Sequence, residues 1–219
     1  MERIKVVLGL FVLAVVLSLS SDANAQRRMI SSREWMLPLS NPTVKFWEKS
    51  RRVEMTDETL ANGAIVKSVL TINEVFLPDH SRYYRKEITD GVTTEFEQIK
   101  IGYMQYTRKN SEPWTKVDLR GSGTGSGNGT GGGVSTRCDQ FSVEDVILNG
   151  KQVQLYEMLS INSDTNELTF TESRRWIASD GLLHRQEYVS GKLSPREETK
   201  RTVTTYEYDP NIKIEAPIK

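Results

Sequence analysis

The only imidazoles and the only thiol of this 219-residue chain are His80, His184 and Cys138. A thiol beside an imidazole is the pair that nucleophilic catalysis by cysteine requires. A metal site needs several ligands at short, regular spacings; neither histidine lies in such a spacing, and Cys138 has no partner thiol. A lone cysteine is most often a small apolar residue of the interior. We therefore predict no catalytic site, no metal site and no cofactor.

Two other segments have the composition of a ligand site but lack the necessary pattern. The glycine tract at 121–133 would need a Gly-Lys-Ser/Thr ending to bind phosphate as a P-loop, and it contains no lysine. A flexible, exposed loop is the expected structure there. The acidic residues Asp139, Glu144 and Asp145 lack the ordered loop of an EF-hand, so they are predicted to be surface acids. For Trp35, Trp47, Trp114 and Trp176, core packing is expected, and ligand stacking is the alternative.

The charge of the chain is balanced, with 29 basic and 29 acidic residues. A nucleic-acid-binding protein usually carries a strong basic field on one surface. The balance therefore speaks against nucleic acid as a partner.

The N-terminus has the three parts of a secretory signal peptide. Glu2, Arg3 and Lys5 precede the apolar run 6–19, and the small residues Ala23-Asn24-Ala25 follow it. The run is shorter than the roughly 20 residues that span a bilayer. No cysteine lies near the junction to accept a lipid anchor. We expect cleavage after Ala25 and export of residues 26–219 to the periplasm as one soluble domain.

Turn dipeptides give the clearest information about the fold. Asn-Gly and Asp-Gly readily take the positive φ angles of two-residue hairpin turns. Four such dipeptides lie between segments rich in Val, Ile, Thr, Tyr and Phe: Asn62-Gly63, Asp90-Gly91, Asn149-Gly150 and Asp180-Gly181. Ser190-Gly191 is a weaker fifth signal. This spacing predicts a meander of antiparallel strands.

The segments between the turns predict a mainly β (α+β) fold: a curved antiparallel sheet that forms an incomplete barrel with few covering helices. One helix is expected within 31–50, interrupted by Pro38 and Pro42. The expected strands are 65–76, 81–89, 92–101, 103–109, 114–119, 141–148, 153–161, 168–178, 182–189 and 202–208, with a short last piece at 212–214.

Several of these strands carry apolar residues on both faces. Val153, Leu155, Leu159 and Ile161 share one face, and Tyr156 and Met158 stand on the other. The same holds around Ile99, Ile101 and Tyr103, with Phe96 and Met104 opposite. One face can pack a core while the other lines a cavity or lies under a helix, and a two-layer sandwich is the alternative. The charged positions Glu95, Glu97, Glu172, Arg174 and Arg175 are expected to be solvated surface.

The last segment, Tyr206-Glu207-Tyr208-Asp209-Pro210-Asn211-Ile212-Lys213-Ile214-Glu215-Ala216-Pro217, resembles the closing segment of the LolA-like lipoprotein-carrier superfamily, which includes LppX/LprG-type lipid carriers. The pair 106–108 and 114–116 is similar to the central strands of that family. Asn149-Gly150 before 153–159 looks like its next hairpin, and Trp176-Ile177 with Asp180-Gly181-Leu182 resembles a further turn. The likeness spans residues 65–217.

The resemblance implies a half-barrel whose concave face holds acyl chains in transit across the periplasm. On this basis we expect a non-enzymatic carrier or binding module for a lipid, a lipoprotein or another apolar ligand, with a membrane-associated donor or acceptor protein. The expected lining residues are Ile99, Ile101, Tyr103, Val153, Leu155, Leu159 and Ile161. The alternative is a cell-envelope scaffold with the same fold and a filled interior.

Overall fold

The computed structural model describes residues 27–40, 48–120, 136–164 and 167–218. The predicted signal peptide, the glycine tract at 121–133 and Trp47 lie outside these ranges.

The described residues form one twelve-stranded antiparallel sheet and one α-helix. The elements are β1 (Arg28–Met29), α1 (Ser32–Ser40), β2 (Arg51–Ala61), β3 (Ala64–Phe76), β4 (His80–Thr89), β5 (Val92–Ile101), β6 (Met104–Lys109), β7 (Thr115–Asp118), β8 (Thr136–Leu148), β9 (Lys151–Asp164), β10 (Glu167–Ala178), β11 (Leu183–Leu193) and β12 (Arg196–Glu207). Their order in the sheet is β1-β8-β9-β10-β11-β12-β2-β3-β4-β5-β6-β7. Because β1 and β7 stand at opposite edges, the sheet is not closed. The prediction of a mainly β fold built on an incomplete antiparallel barrel is confirmed.

The hairpin turns have the backbone that the sequence predicts. Asn62, Asp90 and Asn149 have φ angles of 51–52°, and the glycines after them have φ angles of 76–77°. Positive φ at two successive positions is the signature of a type I′ turn. At Asp180-Gly181 only the glycine has a positive φ, of 79°.

The prediction of a turn at Ser190-Gly191 is wrong. Both residues lie inside β11, where the register to β12 shifts between them. A Cβ on Gly191 would stand 1.9 Å from the backbone oxygen of Glu197. Glycine is needed here because the bulge brings two backbones together, and not because the chain reverses. The chain reverses instead near Ser194, between β11 and β12.

Strand β2 was not predicted, and its composition explains the omission. Its sequence, RRVEMTDETLA, has charged residues at five of its eleven positions. It nevertheless pairs with both β12 and β3, which makes it a central strand. Conversely, the short strand expected at 212–214 is absent from the structure. This segment forms no strand and packs Ile214 against the sheet.

Helix α1 begins with a capping box. The Ser31 hydroxyl accepts a hydrogen bond from the Glu34 backbone N–H at 3.2 Å, and the Glu34 carboxylate accepts one from the Ser31 N–H at 2.9 Å. The Arg28 guanidinium and these Ser31 contacts hold the pKa of Glu34 below its usual value, the backbone bond being the main cause. Pro38 lies inside the helix, which continues to Ser40.

The strand register separates two faces of the sheet. One row across β8 to β12 consists of Phe141, Met158, Ser173, Tyr188 and Thr202. Because Trp35 of α1 contacts Phe141, we call this the helix face. The neighbouring row on the other side consists of Ser142, Glu157, Arg174, Glu187 and Val203, and we call that side the ion-pair face.

Candidate functional site

Trp35 packs helix α1 against the helix face. Trp35 is 7% exposed, and its ring centroid lies 5.7 Å from that of Phe141 on β8. The guanidinium carbon of Arg175 on β10 lies 3.4 Å from the centre of the Trp35 ring. A guanidinium that stacks on an indole gains a cation–π attraction. Three elements therefore meet at Trp35.

Arg175 is a buried cation that forms no ion pair with another residue of the described ranges. Its exposure is 8%, and its Nε and Nη1 atoms have no hydrogen-bond partner among the described residues. The positions next to it on the helix face are Ser173 and Ile177 on its own strand, Tyr156 on β9 and Gln186 on β11. None of these is a carboxylate. Burial lowers the pKa of Arg175 from its ordinary value to about 10, while the nearby Tyr206 acts weakly in the opposite direction.

Two further polar atoms on this side are buried without a partner in the described chain: Trp35 Nε1 and Ser160 Oγ. Ser160 is 2% exposed and lies two residues along β9 from Met158, the register partner of Phe141. A buried polar atom without a hydrogen bond costs roughly 1–3 kcal/mol. Four unsatisfied atoms on one face are therefore a feature that requires explanation.

Around these donors the helix face is lined by half-buried side chains with large apolar surfaces. They belong to four strands, β9, β11, β12 and β2, and we call them the helix-face apolar surface: Tyr156, Met158, Tyr188, Tyr206 and Met55. Burial raises the pKa of the Tyr206 phenol, and the Arg175 charge partly opposes this rise. The same cause raises the pKa of Tyr156. Both phenols therefore stay neutral at physiological pH.

The ion-pair face has a different chemistry, because arginine and glutamate alternate across its strands. The buried Glu97 of β5 accepts a hydrogen bond from Arg82 at 2.8 Å and another from Arg108 at 2.7 Å. Arg82 also lies 3.6 Å from Glu74. A second network centres on Arg174, whose nitrogens lie within 4 Å of carboxylate oxygens of Glu157, Glu172 and Glu187. The charges on this face are thus paired with one another.

Two charged residues that were expected on solvated surface are therefore buried. Glu97 is 5% exposed and Arg175 is 8% exposed, so this expectation was wrong for both. A signal was present in the dipeptide Arg174-Arg175. Adjacent residues of a strand point to opposite faces, so one of the two arginines had to lie on the side away from the ion pairs.

Six of the seven residues predicted to line a ligand cavity lie on the ion-pair face. Ile99 and Ile101 belong to β5, whereas Val153, Leu155, Leu159 and Ile161 belong to β9. Six strands separate β5 from β9 in the sheet, so the two groups do not form one site. Tyr103 lies in the turn before β6 and is 67% exposed.

The surroundings of these residues also differ. Ile99 packs in a cluster with Tyr106 and Ile214, and Ile101 lies against this cluster. The C-terminal segment thus covers that part of the sheet. Met104 shares the face of Ile101, because the two are register partners, and does not stand opposite it as expected. Leu159 lines a cavity of about 260 Å³ whose walls include Arg27, Glu157, Glu172 and Arg174. A role of the seven residues in ligand binding stays a prediction.

The candidate nucleophile and bases are separated in the structure. Cys138 is exposed on β8. His80 is the first residue of β4, and its Nδ1 lies 2.8 Å from the Asp79 carboxylate. His184 packs edge-on against Tyr208, with 6.0 Å between the ring centroids. In the described part of the chain, no group of three or more His, Cys, Asp or Glu side chains is arranged to hold a metal ion. No helix among the described residues is both long and apolar enough to cross a bilayer.

No model of a known protein family matches the sequence, and no curated protein matches it. Solved structures do match. A LolA superfamily protein from Nitrosomonas europaea has 11% sequence identity and a TM-score of 0.25, and the match covers 81% of this chain and 92% of that chain. A protein described as an outer membrane lipoprotein-sorting protein domain, from Vibrio parahaemolyticus, has 12% identity and a TM-score of 0.24, with 83% and 92% covered.

Proposed function

We propose that this protein is a non-enzymatic binding module for an apolar ligand, a lipid or an acylated protein, and that it works in the periplasm. The observation that carries the proposal is the contrast between the two faces. The ion-pair face satisfies its charges internally, whereas the helix-face apolar surface presents half-buried aromatic and methionine side chains beside unsatisfied donors. A site that binds an amphiphile combines apolar lining with a few directed polar groups.

Burial of the ligand's hydrocarbon would supply the binding free energy. Each buried methylene contributes about 0.8 kcal/mol. Tyr156, Met158 and Tyr188 lie on adjoining or nearby strands, so an acyl chain can cross them perpendicular to the strands. Met side chains adapt to chains of different shape. Helix α1, held through Trp35, covers one end of this path.

Periplasmic location is part of the proposal and rests on the predicted signal peptide at 1–25. A membrane-associated donor or acceptor protein would then load or unload the ligand, since no covalent step is available to drive release. Nucleic acid has no place in this scheme.

The first test is native mass spectrometry of mature protein purified from the periplasm of an expression host, with extraction and identification of any lipid. A stoichiometric acyl species supports the proposal. A clean apo mass, unchanged after incubation with mixed membrane lipids, argues against it.

A pair of variants on β9 identifies the face that binds. Met158→Arg places a charge on the helix-face apolar surface, and Leu155→Arg places the same charge on the ion-pair face, three residues away. We expect Met158→Arg to lose the co-purifying lipid and Leu155→Arg to keep it. The reverse result would assign the ligand to the ion-pair face, where the sequence placed it. Circular dichroism establishes that both variants fold.

A cell-envelope scaffold with the same fold is the second candidate, and the edge strand β7 favours it. All four residues of β7 are exposed, including Val117 at 49%. An exposed edge offers unpaired backbone groups to a strand of a partner protein. Under this reading the helix face is filled by its own side chains, and no lipid co-purifies.

A further inference from the structure

Arg175 is the charged residue among the side chains of the helix face that have buried atoms without a partner. The four buried side-chain atoms without a partner in the described chain are Arg175 Nε, Arg175 Nη1, Trp35 Nε1 and Ser160 Oγ. Guanidinium and indole nitrogens donate hydrogen bonds and cannot accept them, and a serine hydroxyl can do either. The missing partner must therefore be an acceptor. Water would satisfy the geometry of the donors but would leave the charge of Arg175 uncompensated.

The charge of Arg175 strengthens this argument. With a pKa of about 10, the side chain is cationic at physiological pH despite its burial. A buried charge is normally paired with an opposite charge. Its direct register partners are Tyr156 and Gln186, and both are uncharged side chains. Three carboxylate side chains lie outside the description: Glu2 and Asp22 belong to the predicted signal peptide, and Asp164 stands eight residues along β9 from Tyr156, the register partner of Arg175.

The side chains around Arg175 indicate that the ligand also has an apolar part. Tyr156 and Met158 of the helix-face apolar surface flank it on β9, and Tyr188 lies on β11. Tyr206 is close enough for its phenol and the guanidinium to influence each other's pKa. The indole of Trp35 closes the site from the helix side. An anionic group held here would have its attached chain directed over apolar side chains.

We propose that the ligand is an amphiphile with an anionic head group, a carboxylate or a phosphate, whose oxygens accept hydrogen bonds from the Arg175 guanidinium while its acyl chain lies on the helix-face apolar surface. This inference rests on the proposed function and adds the chemical class of the ligand. A hydrogen bond from a guanidinium to an ionised oxygen is charge-assisted and stronger than a hydrogen bond between neutral groups.

The test compares laurate with 1-dodecanol, which has the same chain length without the charge. Affinities for the mature protein are measured by calorimetry for the wild type, Arg175→Met, Arg175→Lys and the control Arg85→Met. Arg85 lies on the same face but is exposed and paired with Glu87. We expect the wild type to bind laurate at least about tenfold more tightly than dodecanol, since bonds to a charged group are the strong ones.

In Arg175→Met this preference should fall to about one, with the dodecanol affinity unchanged within roughly twofold. Arg175→Lys keeps the charge but loses the planar guanidinium that stacks on Trp35, so it should retain only part of the preference. Arg85→Met should behave like the wild type. If Arg175→Met does not fold, Arg175→Lys still tests the proposal, because an unchanged laurate preference in that variant would show that the guanidinium donors do not hold the head group.

The other outcomes separate the two proposals. Equal binding of laurate and dodecanol by the wild type overturns the anionic head group and leaves the apolar binding module standing. Failure of the wild type to bind either ligand overturns both. The last experiment adds inorganic phosphate or acetate, which are anions without an acyl chain, as competitors of laurate. If a low concentration of either free anion displaced laurate, Arg175 would be assigned to binding a free anion. That result would overturn the proposal of an amphiphilic ligand.

Discussion

Replacing Arg175 by methionine should stabilise the ligand-free protein. The change removes a buried cation and keeps a side chain of similar length. Burial lowers the pKa of Arg175 from 12.5 to about 10. At about 1.4 kcal/mol per pKa unit, the folded state disfavours the charged form by about 3 kcal/mol. The lost stacking on Trp35 offsets about 1–2 kcal/mol of this. We expect the free energy of unfolding to rise by about 1–2 kcal/mol, as when buried ionic groups are replaced by apolar ones of similar volume.

Denaturant unfolding of delipidated protein measures the effect, and thermal unfolding should show an increase in Tm of about 5 °C for a domain of this size. Arg85→Met is the control. Because Arg85 is exposed, the change in its unfolding free energy should stay within about 0.5 kcal/mol. A loss of more than about 1 kcal/mol in Arg175→Met would refute the reasoning. It would show that the guanidinium has a compensating partner in the ligand-free protein.

Three further predictions concern other parts of the sheet. Gly191→Ala places a Cβ 1.9 Å from the Glu197 backbone oxygen, so chemical denaturation should show a loss of about 2–3 kcal/mol; a loss below about 0.5 kcal/mol would mean that the bulge can open. Glu97→Gln leaves Arg82 and Arg108 without their shared carboxylate and should cost about 1–2 kcal/mol, whereas a change near zero would show that solvent replaces the bridge. Burial raises the pKa of Tyr208 from 10.0 to about 12, so the folded state retains that proton more tightly than the unfolded state; the resulting stability is complete below pH 10 and is lost as the pH rises through 12. Tyr208→Phe should therefore flatten the fall in unfolding free energy between pH 10 and 12, and an unchanged slope would contradict the assignment.

The hairpins could be predicted because their signals are local. Asn62-Gly63 and Asn149-Gly150 specify a backbone conformation that few other dipeptides adopt, and both turns form where expected. Gly191 shows the limit of such signals. A glycine within a strand sequence is required by a turn or by a close backbone contact, and only the tertiary structure distinguishes the two.

The candidate site could not be predicted because it depends on which face the helix covers. Alternation correctly placed Leu155 and Leu159 on one face and Tyr156 and Met158 on the other. It could not indicate that α1 packs on the second face, since that depends on the contact between Trp35 and Phe141, which are more than 100 residues apart. The burial of Arg175 follows from the same contact. Strand β2 was missed for a related reason, because the contact of Arg52 with Glu74 on β3 is set by the tertiary structure and is not visible in the local pattern.

The ion-pair face also determines how the strands align. A slip of one residue moves every side chain of a strand to the opposite face. In most half-exposed sheets such a slip is prevented because it exposes the apolar side, but here both faces of β9 carry apolar residues. A slip of β10 would instead carry Arg174 and Glu172 under Trp35, away from Glu157 and Glu187. The alternating charges thus specify the strand register, and they disfavour misaligned sheets that hydrophobic patterning alone would permit.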